Sequence, residues 1–202
     1  CCIHDAGSPT PRWLRLTDDA RIPAFAELAE RIRRHGARSS IQLAHTGRAA
    51  SAQATGRAVQ IVSHVPGVTP YNDARVLTKE DLTELADCWG RAALRARQAG
   101  FDSVELHGAH GYLLSQFLSP FTNRRTDEYG GSAERRMRFP LEVLRRVREY
   151  VGPDFPVGYR LSAEERLEEV GIANGLKLED GVAFARRLAD EGISWIHVSV
   201  GL

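Results

Sequence analysis

Two histidines and a tyrosine lie together near the middle of the chain, in the segment His107-Gly108-Ala109-His110-Gly111-Tyr112. Imidazole and phenol groups can hold and transfer protons, and a His-x-x-His spacing can also chelate zinc. Residues three apart on a strand face opposite ways, so the two imidazoles converge only if the chain turns at Gly108. Because the run 101–106 before them alternates like a strand, the segment predicts a reactive site at the C-terminal end of a strand.

A zinc site is the first alternative for this pair of histidines. Further ligands could come from His45 and His197 on other strands, but no third ligand stands at a suitable spacing along the sequence. Tyr112 could equally be a tyrosine that packs in its loop. Taken alone, these residues leave proton transfer, metal binding and a structural role open.

Arg160 stands inside a predicted strand, the run 157–162, where an apolar residue is expected. Strand alternation places it on the face opposite Tyr159 and Leu161, which would then pack against helices. A guanidinium on an interior face is costly unless it meets an anion or several acceptors. The spacing leaves two partners open, a bound anionic ligand and the side chain of Glu105 on the neighbouring strand.

Gln42 is the second polar residue at an apolar position, in the short buried run 40–44. A buried amide needs both donors and acceptors around it. A ligand with a matching donor and acceptor edge would satisfy this amide, and so would a side chain on a neighbouring strand. His45 and Arg48, which follow the run, are predicted to anchor the loop after it.

Short apolar runs alternate with amphipathic helices along the sequence. The runs are 1–3, 40–44, 101–107, 156–162 and 194–200, and the helices are 18–34, 78–98, 133–151 and 178–190. Helices between successive strands indicate a parallel α/β sheet. Periodicity alone leaves open whether this sheet is doubly wound or closed into a barrel. The segment 49–76 lacks periodicity and is predicted to be a long functional loop.

The composition indicates a globular domain of 202 residues with a formal net charge of +1. This charge gives no indication of a nucleic-acid or membrane partner, and the arginine clusters at 31–34, 135–138 and 145–148 are predicted to be solvated helix faces. Three cysteines form neither a disulfide framework nor a metal spacing, which fits a cytoplasmic protein. The sequence opens and stops at predicted strands, so we expect a single but incomplete domain, 1–202.

Three blocks of the sequence resemble the old yellow enzyme family of FMN-dependent ene-reductases and NADH:flavin oxidoreductases. The longest is one ungapped run that contains ELHGAHGYLLSQFLSP, NRRTDEYGGS and ERRMRF; IQLAHTGR at 41–48 and VGYRLSA at 157–163 occur in the expected order. The likeness covers the chain from about residue 14 to its end. It implies a (β/α)8 TIM barrel, of which the predicted strands would be the second to the sixth.

The resemblance implies a role for each residue of the central segment. The imidazoles of His107 and His110 would grip the substrate oxygen above the flavin, because donors aimed at an oxygen where charge grows lower the barrier. Gly108 and Ala109 would complete this substrate-binding segment. Tyr112 would protonate the α-carbon of the substrate after hydride from flavin N5 reaches the β-carbon.

The resemblance also implies that the two polar strand residues hold the flavin. The matching glutamine, here Gln42, pairs with the pyrimidine edge, and the matching arginine, here Arg160, stabilises negative charge at N1 and O2 of the ring. No metal is implied. FMN phosphate is held after the seventh and eighth strands of such barrels, which are absent from this sequence, so we expect these 202 residues alone to bind FMN weakly or not at all.

The leading interpretation is an FMN-dependent oxidoreductase that uses NADH or NADPH to reduce the C=C bond of an activated alkene. One alternative is the barrel portion of a larger iron–sulfur flavoenzyme of the 2-enoate reductase or trimethylamine dehydrogenase type, since YRLSAEE also resembles those relatives. Two others are a metal-dependent barrel hydrolase or isomerase and a truncated barrel without cofactor. The expected partners are a small-molecule substrate and further copies of the same chain.

Overall fold

The computed structural model describes residues 1–67 and 74–201. Within these ranges the strands are β1 (Ser40–Leu43), β2 (Gln60–Ile61), β3 (Arg75–Val76), β4 (Ser103–Gly108), β5 (Val157–Ser162) and β6 (Trp195–Ser199). The helices are α1 (Ile22–Arg34), α2 (Ala52–Thr55), α3 (Lys79–Gln98), α4 (Leu113–Leu118), α5 (Ala133–Val151) and α6 (Leu178–Asp190). None of these helices is both long enough and apolar enough to cross a membrane.

Four parallel strands, in the order β1-β4-β5-β6, form the main sheet. A helix precedes each later strand of this sheet: α3 leads into β4, α5 into β5 and α6 into β6. On the outer face α3 packs on α5, where the rings of Trp89 and Phe139 meet edge to face at 6.3 Å. This repeated order of strand and helix confirms the predicted parallel sheet, which forms an arc of the predicted barrel.

The predicted strand at 1–3 is reduced to parallel bridges of Cys2 with Arg15 and Ala44. A 3₁₀ turn at Asp5–Gly7 follows almost at once. The run still pairs with the end of β1, because Ala44 donates to the Cys1 oxygen and Ile3 donates to the Ala44 oxygen, so the predicted strand is present only as this short parallel pairing.

Helix α1 begins later than the sequence predicts. Asp18 does not cap a helix, because its carboxylate accepts a hydrogen bond from the Arg21 side chain at 2.8 Å and Asp19–Arg21 forms a 3₁₀ turn. Helix α3, in contrast, begins where the sequence predicts, and a capping box fixes its start. The Thr78 hydroxyl accepts the N–H of Asp81, and the carboxylate of Asp81 accepts the N–H of Thr78.

Arg125 holds the loop between α4 and α5 against the segment that follows β1. Its guanidinium donates to the backbone oxygens of Val62 and Leu77 and pairs with Asp127 at 2.6 Å. Gly130 lies directly against it, since a Cβ there would be 2.2 Å from the carbonyl oxygen of Arg125. These contacts hold the loop in place, with close backbone approach at Gly130.

The segment 49–76 is more regular than the sequence predicts. It contains α2 and the parallel pair β2-β3. Ala50, Val59 and Ile61 form a small apolar cluster beneath this pair, which gives the segment a core of its own. Residues 68–73 of the predicted loop lie outside the described residues, and its functional role stays a prediction.

Arg136 corrects the prediction that the cluster 135–138 is a solvated helix face. Its buried guanidinium donates to the backbone oxygens of Leu118 and Gly131 at 2.7 and 2.6 Å and to the carboxylate of Asp180 at 2.8 Å. The side chain therefore joins α4 and α6 to α5. The residues three, seven and eleven positions further along α5 are buried and apolar, and this spacing marks Arg136 as part of the same face.

We expect Arg136→Ala to lower the free energy of unfolding by about 2 kcal/mol, because two backbone oxygens lose their donor and Asp180 loses its partner. Arg135→Ala removes the exposed neighbouring guanidinium and should change the free energy by less than about 0.5 kcal/mol. Urea denaturation of both variants and of the wild type measures the difference. Equal stability of the two variants would contradict the structural role of Arg136.

Candidate active site

The inner face of the sheet carries polar side chains in two rows, because neighbouring strands are in register. The lower row crosses all four strands and contains Gln42, Glu105, Gly158 and Trp195. The upper row lies nearer the C-terminal ends of the strands and contains His107, Arg160 and His197. Parallel α/β barrels carry their reactive groups at this end, so the two rows define the candidate site.

Glu105 is the centre of the lower row and accepts hydrogen bonds with both carboxylate oxygens. The Gln42 amide nitrogen lies 2.6 Å from Oε1, and the Trp195 indole nitrogen lies 3.1 Å from Oε2. The Nδ1 atom of His197 is 3.4 Å from the same Oε2 atom. Gln42 thus has a partner on the neighbouring strand, the alternative that the sequence left open. Its amide oxygen and one N–H are not used by Glu105.

Arg160 stands in the upper row, and no described residue is its counterion. Within residues 1–67 and 74–201 it forms no ion pair, and its Nε atom is buried without a hydrogen-bond partner. The alternative pairing with Glu105 is not formed, because Glu105 lies in the lower row and is engaged by other donors. A guanidinium with a buried, unpartnered nitrogen is costly without an anion. Arg160 therefore fits the negatively charged ring edge of a cofactor such as FMN.

The two histidines and the tyrosine converge as the sequence predicts. The ring centroids of His107 and His110 are 5.3 Å apart, and the ring of Tyr112 stacks on His107 at 4.5 Å. The chain leaves β4 at Gly108, and His110 then adopts a left-handed backbone conformation with φ of 54°. Ser199 on β6 holds the His110 ring, with its Oγ atom 2.8 Å from Nε2.

Gly108 is required by the side chain that lies against it. A Cβ at this position would be 2.1 Å from the hydroxyl oxygen of Tyr159, which is fully buried. The Tyr159 ring meets Phe184 of α6 at 5.4 Å, and Leu161 is buried on the same outer face. This packing confirms that Arg160, between them in sequence, points to the interior.

Burial keeps the imidazoles of the cluster neutral. Desolvation, followed by the nearby charges of His110 and Arg160, lowers the pKa of His107 to about 3. The Nδ1 atom of His107 accepts the N–H of Ala109 at 3.3 Å, so the ring proton stands on Nε2. Burial also lowers the pKa of His110 and raises the pKa of the Tyr112 phenol. At neutral pH the cluster offers neutral imidazole donors and a protonated phenol.

His45 is a structural residue outside this cluster. Its Nε2 atom lies 2.9 Å from the amide oxygen of Gln60, and its Nδ1 atom accepts the N–H of Gly47 at 3.0 Å. Burial lowers the pKa of His45 to about 3. These contacts anchor the loop after β1, as predicted. In the described parts of the chain, no three His, Cys, Asp or Glu side chains are placed to hold a metal ion together.

Sequence reasoning missed Trp195 and Ser199. Both alternate with His197 on β6, so all three face the interior. The sequence feature that could have indicated Trp195 is Gly158, which lies beside it on β5. The indole fills the space that a side chain at Gly158 would occupy, since a Cβ there would lie 2.0 Å from the indole. A large side chain next to a glycine on an adjacent strand indicates such packing only once the pairing register is known.

The fold and the site together define a class of protein, a parallel α/β barrel with a half-buried cation and neutral hydrogen-bond donors at the C-terminal ends of its strands. The profile of the NADH:flavin oxidoreductase / NADH oxidase family matches residues 1–193. The chain belongs to this family. The match confirms the predicted resemblance and, at the level of the family, the predicted cofactors, FMN with NADH or NADPH.

Known relatives extend well beyond the matched region. The chain is 45% identical over 190 residues to an NADH oxidase of Thermoanaerobacter brockii, covering 94% of this chain and 28% of that protein. It is 39% identical over 199 residues to an NADPH dehydrogenase of Geobacillus sp. (strain WCH70), covering 96% and 54%. The solved old yellow enzyme homologue from Zymomonas mobilis superposes with a TM-score of 0.84 at 29% identity, over 96% of this chain and 57% of that one. The chain thus spans about half of these proteins or less.

We expect the free energy of unfolding to fall as the pH is lowered from about 6.5 toward about 4. His45 and His107 have an ordinary pKa of 6.5 when unfolded and a pKa of about 3 in the folded chain. Between these two pKa values the unfolded chain binds more protons than the folded chain. The stabilisation from the two neutral histidines is therefore complete above the unfolded pKa and is lost as the pH falls toward the folded pKa. Each histidine contributes a slope of up to about 1.4 kcal/mol per pH unit.

Urea denaturation at several pH values measures this slope, and one variant assigns the part due to His45. His45→Gln should reduce the slope by the contribution of one histidine, because glutamine does not titrate. An unaltered slope in His45→Gln would contradict a buried, neutral His45.

Proposed function

We propose that the protein is an FMN-dependent NAD(P)H oxidoreductase that reduces the C=C bond of small alkenes conjugated to an electron-withdrawing group. The observation that carries this proposal is the upper row. There Arg160 has a buried nitrogen without a partner among the described residues, beside the cluster of His107, His110 and Tyr112. These groups fit an anionic cofactor edge and a substrate oxygen on which charge develops. A cytoplasmic location and assembly of several copies stay predictions.

The interior face supplies the cofactor site. FMN, when bound, supplies the hydride. With FMN bound, Arg160 would stabilise negative charge at the N1 and O2 edge of the ring, and Gln42 would bond to the pyrimidine with the amide atoms that Glu105 leaves free. The family match supports this cofactor, and the names of the relatives, NADH oxidase and NADPH dehydrogenase, support a nicotinamide as the reductant.

The cluster after β4 supplies the substrate site. His107 and His110 donate hydrogen bonds to the oxygen of the electron-withdrawing group, where negative charge grows during reduction; one such donor contributes about 10²–10³-fold in rate. Tyr112 keeps its proton at neutral pH because burial raises the pKa of its phenol. It gives that proton to the α-carbon of the substrate.

A second candidate is the same barrel inside a larger iron–sulfur flavoenzyme. The observation that favours it is length, because the matched region is only 28% of the Thermoanaerobacter relative. Iron analysis of the product of the complete open reading frame separates the two candidates, since only the larger form holds a cluster. The proposed site on this chain is the same in both.

We expect the product of the complete open reading frame to keep flavin absorption bands after desalting and to bleach anaerobically with NADH or NADPH. Arg160→Ala should weaken FMN binding about tenfold or more, because a charge-assisted contact is lost. Arg186→Ala, which removes an exposed guanidinium on α6, is the matched control. Absorption titration with FMN measures both dissociation constants. A colourless protein that binds no added FMN would contradict the proposal.

Tyr112→Phe separates the two half-reactions. We expect this variant to bind FMN and to be reduced by NADH or NADPH at the wild-type rate, but to reduce alkenes about 10²–10⁴-fold more slowly, because it lacks the proton donor. Stopped-flow absorption follows each half-reaction. Tyr150→Phe, on α5 away from the site, should affect neither. Unchanged alkene reduction in Tyr112→Phe would leave this phenol a packing residue only.

A further inference from the structure

We propose that Glu105 is a positioning residue for the cofactor: its carboxylate fixes the amide of Gln42 in one orientation and is itself kept away from Arg160. The inference rests on the proposed function, because both side chains act on FMN only if FMN binds. Glu105 lies in the lower row, one row further from the C-terminal ends of the strands than the groups that face the substrate.

The first part of the role follows from hydrogen-bond chemistry. An ionised carboxylate only accepts hydrogen bonds, so it selects one of the two orientations of a neighbouring amide. The contact of 2.6 Å from Gln42 Nε2 to Glu105 Oε1 turns the amide nitrogen toward β4. The amide oxygen and one N–H are left for another partner. One acceptor and one donor match a pyrimidine edge, which presents N3–H and O2.

The second part follows from how β6 holds the other oxygen of Glu105. Trp195 donates its indole N–H to Oε2 at 3.1 Å, and His197 Nδ1 lies 3.4 Å from the same atom. The indole reaches across β5 because Gly158 has no side chain, and a Cβ there would lie 2.0 Å from it. With both oxygens bonded, Glu105 stays in the lower row. Arg160 therefore keeps its charge for a ligand, although an acid lies one row away.

The charge of Glu105 has a consequence for a bound flavin. Its side chain is only 12% exposed, so solvent screens the charge weakly. The negative charge of Glu105 beside the ring edge opposes the gain of negative charge when the flavin is reduced. The positive charge of Arg160 favours that gain. Nearby charges shift a pKa in the same way. Removing the charge of Glu105 while keeping its shape should raise the reduction potential of FMN. A residue with a purely structural role would not produce this shift.

The test compares Glu105→Gln with the wild type, both as FMN-loaded products of the complete open reading frame. The glutamine amide presents a donor to either Gln42 or Trp195, so one hydrogen bond is lost. We expect FMN to bind about tenfold more weakly and its reduction potential to become more positive. Glu179→Gln, which removes an exposed carboxylate on α6 with the same change in charge, should alter neither quantity.

Trp195→Phe is the second variant, and it keeps the charge of Glu105. It frees Oε2, so the carboxylate can turn toward Arg160 and compete with the flavin. We expect a similar loss of FMN affinity without the positive shift in potential. If Glu105→Gln does not fold, FMN affinity is compared between Trp195→Phe and the wild type alone, and equal affinity overturns the role of Glu105.

The outcomes separate this role from the proposed function. A Glu105→Gln protein that matches Glu179→Gln in both FMN affinity and potential overturns the positioning role and leaves the flavin assignment intact. Weaker binding without a shift in potential leaves Glu105 a structural residue and overturns the role as well. A wild-type protein that binds no FMN overturns the proposed function and the role of Glu105 together.

Discussion

The register between β4 and β5 is the constraint on which the candidate site depends. It sets Glu105 opposite Gly158 and His107 opposite Arg160, so the acid and the guanidinium of the interior stand in different rows. Donors from β1 and β6 occupy the acid, and the guanidinium keeps a buried nitrogen without a partner among the described residues. A slip of one residue would exchange the inner and outer faces of β5 and bring its buried apolar residues inward. The pairing of β4 with β5 therefore leaves the charge of Arg160 available to a ligand.

The cluster of His107, His110 and Tyr112 depends on three strands, although its residues come from one short segment. Gly108 lets the chain leave β4 over a buried tyrosine ring, and His110 takes the left-handed conformation that the turn requires. Ser162 on β5 accepts the backbone N–H of His110 at 3.0 Å, and Ser199 on β6 holds its ring at 2.8 Å. A site whose side chains are held by neighbouring strands is pre-organised for its ligand. The His110 side chain is therefore held in place by the protein alone.

Local signals made much of the fold and part of the site predictable from sequence. The alternation of apolar and polar residues, the helix-capping residues and the glycines at turns predicted the order of strands and helices. They also predicted that Arg160 faces inward and that the chain turns at Gly108. Long-range contacts decided the rest. Pairing register determines that Glu105 meets Gln42 and Trp195, and no residue near it in sequence indicates this. Arg136 was misread for the same reason, because its partners Leu118 and Asp180 are distant in sequence. The run 1–3 is shorter than predicted for a local reason, because a 3₁₀ turn follows it.

A crystal structure of the FMN-loaded protein with a small unsaturated ketone would test whether the two rows and the cluster form one site. We expect the pyrimidine edge of the flavin within hydrogen-bonding distance of Gln42 and Arg160, and the ketone oxygen between His107 and His110. A flavin bound away from the interior face would contradict the assignment of the rows. A ketone oxygen that touches neither imidazole would contradict the assignment of the cluster.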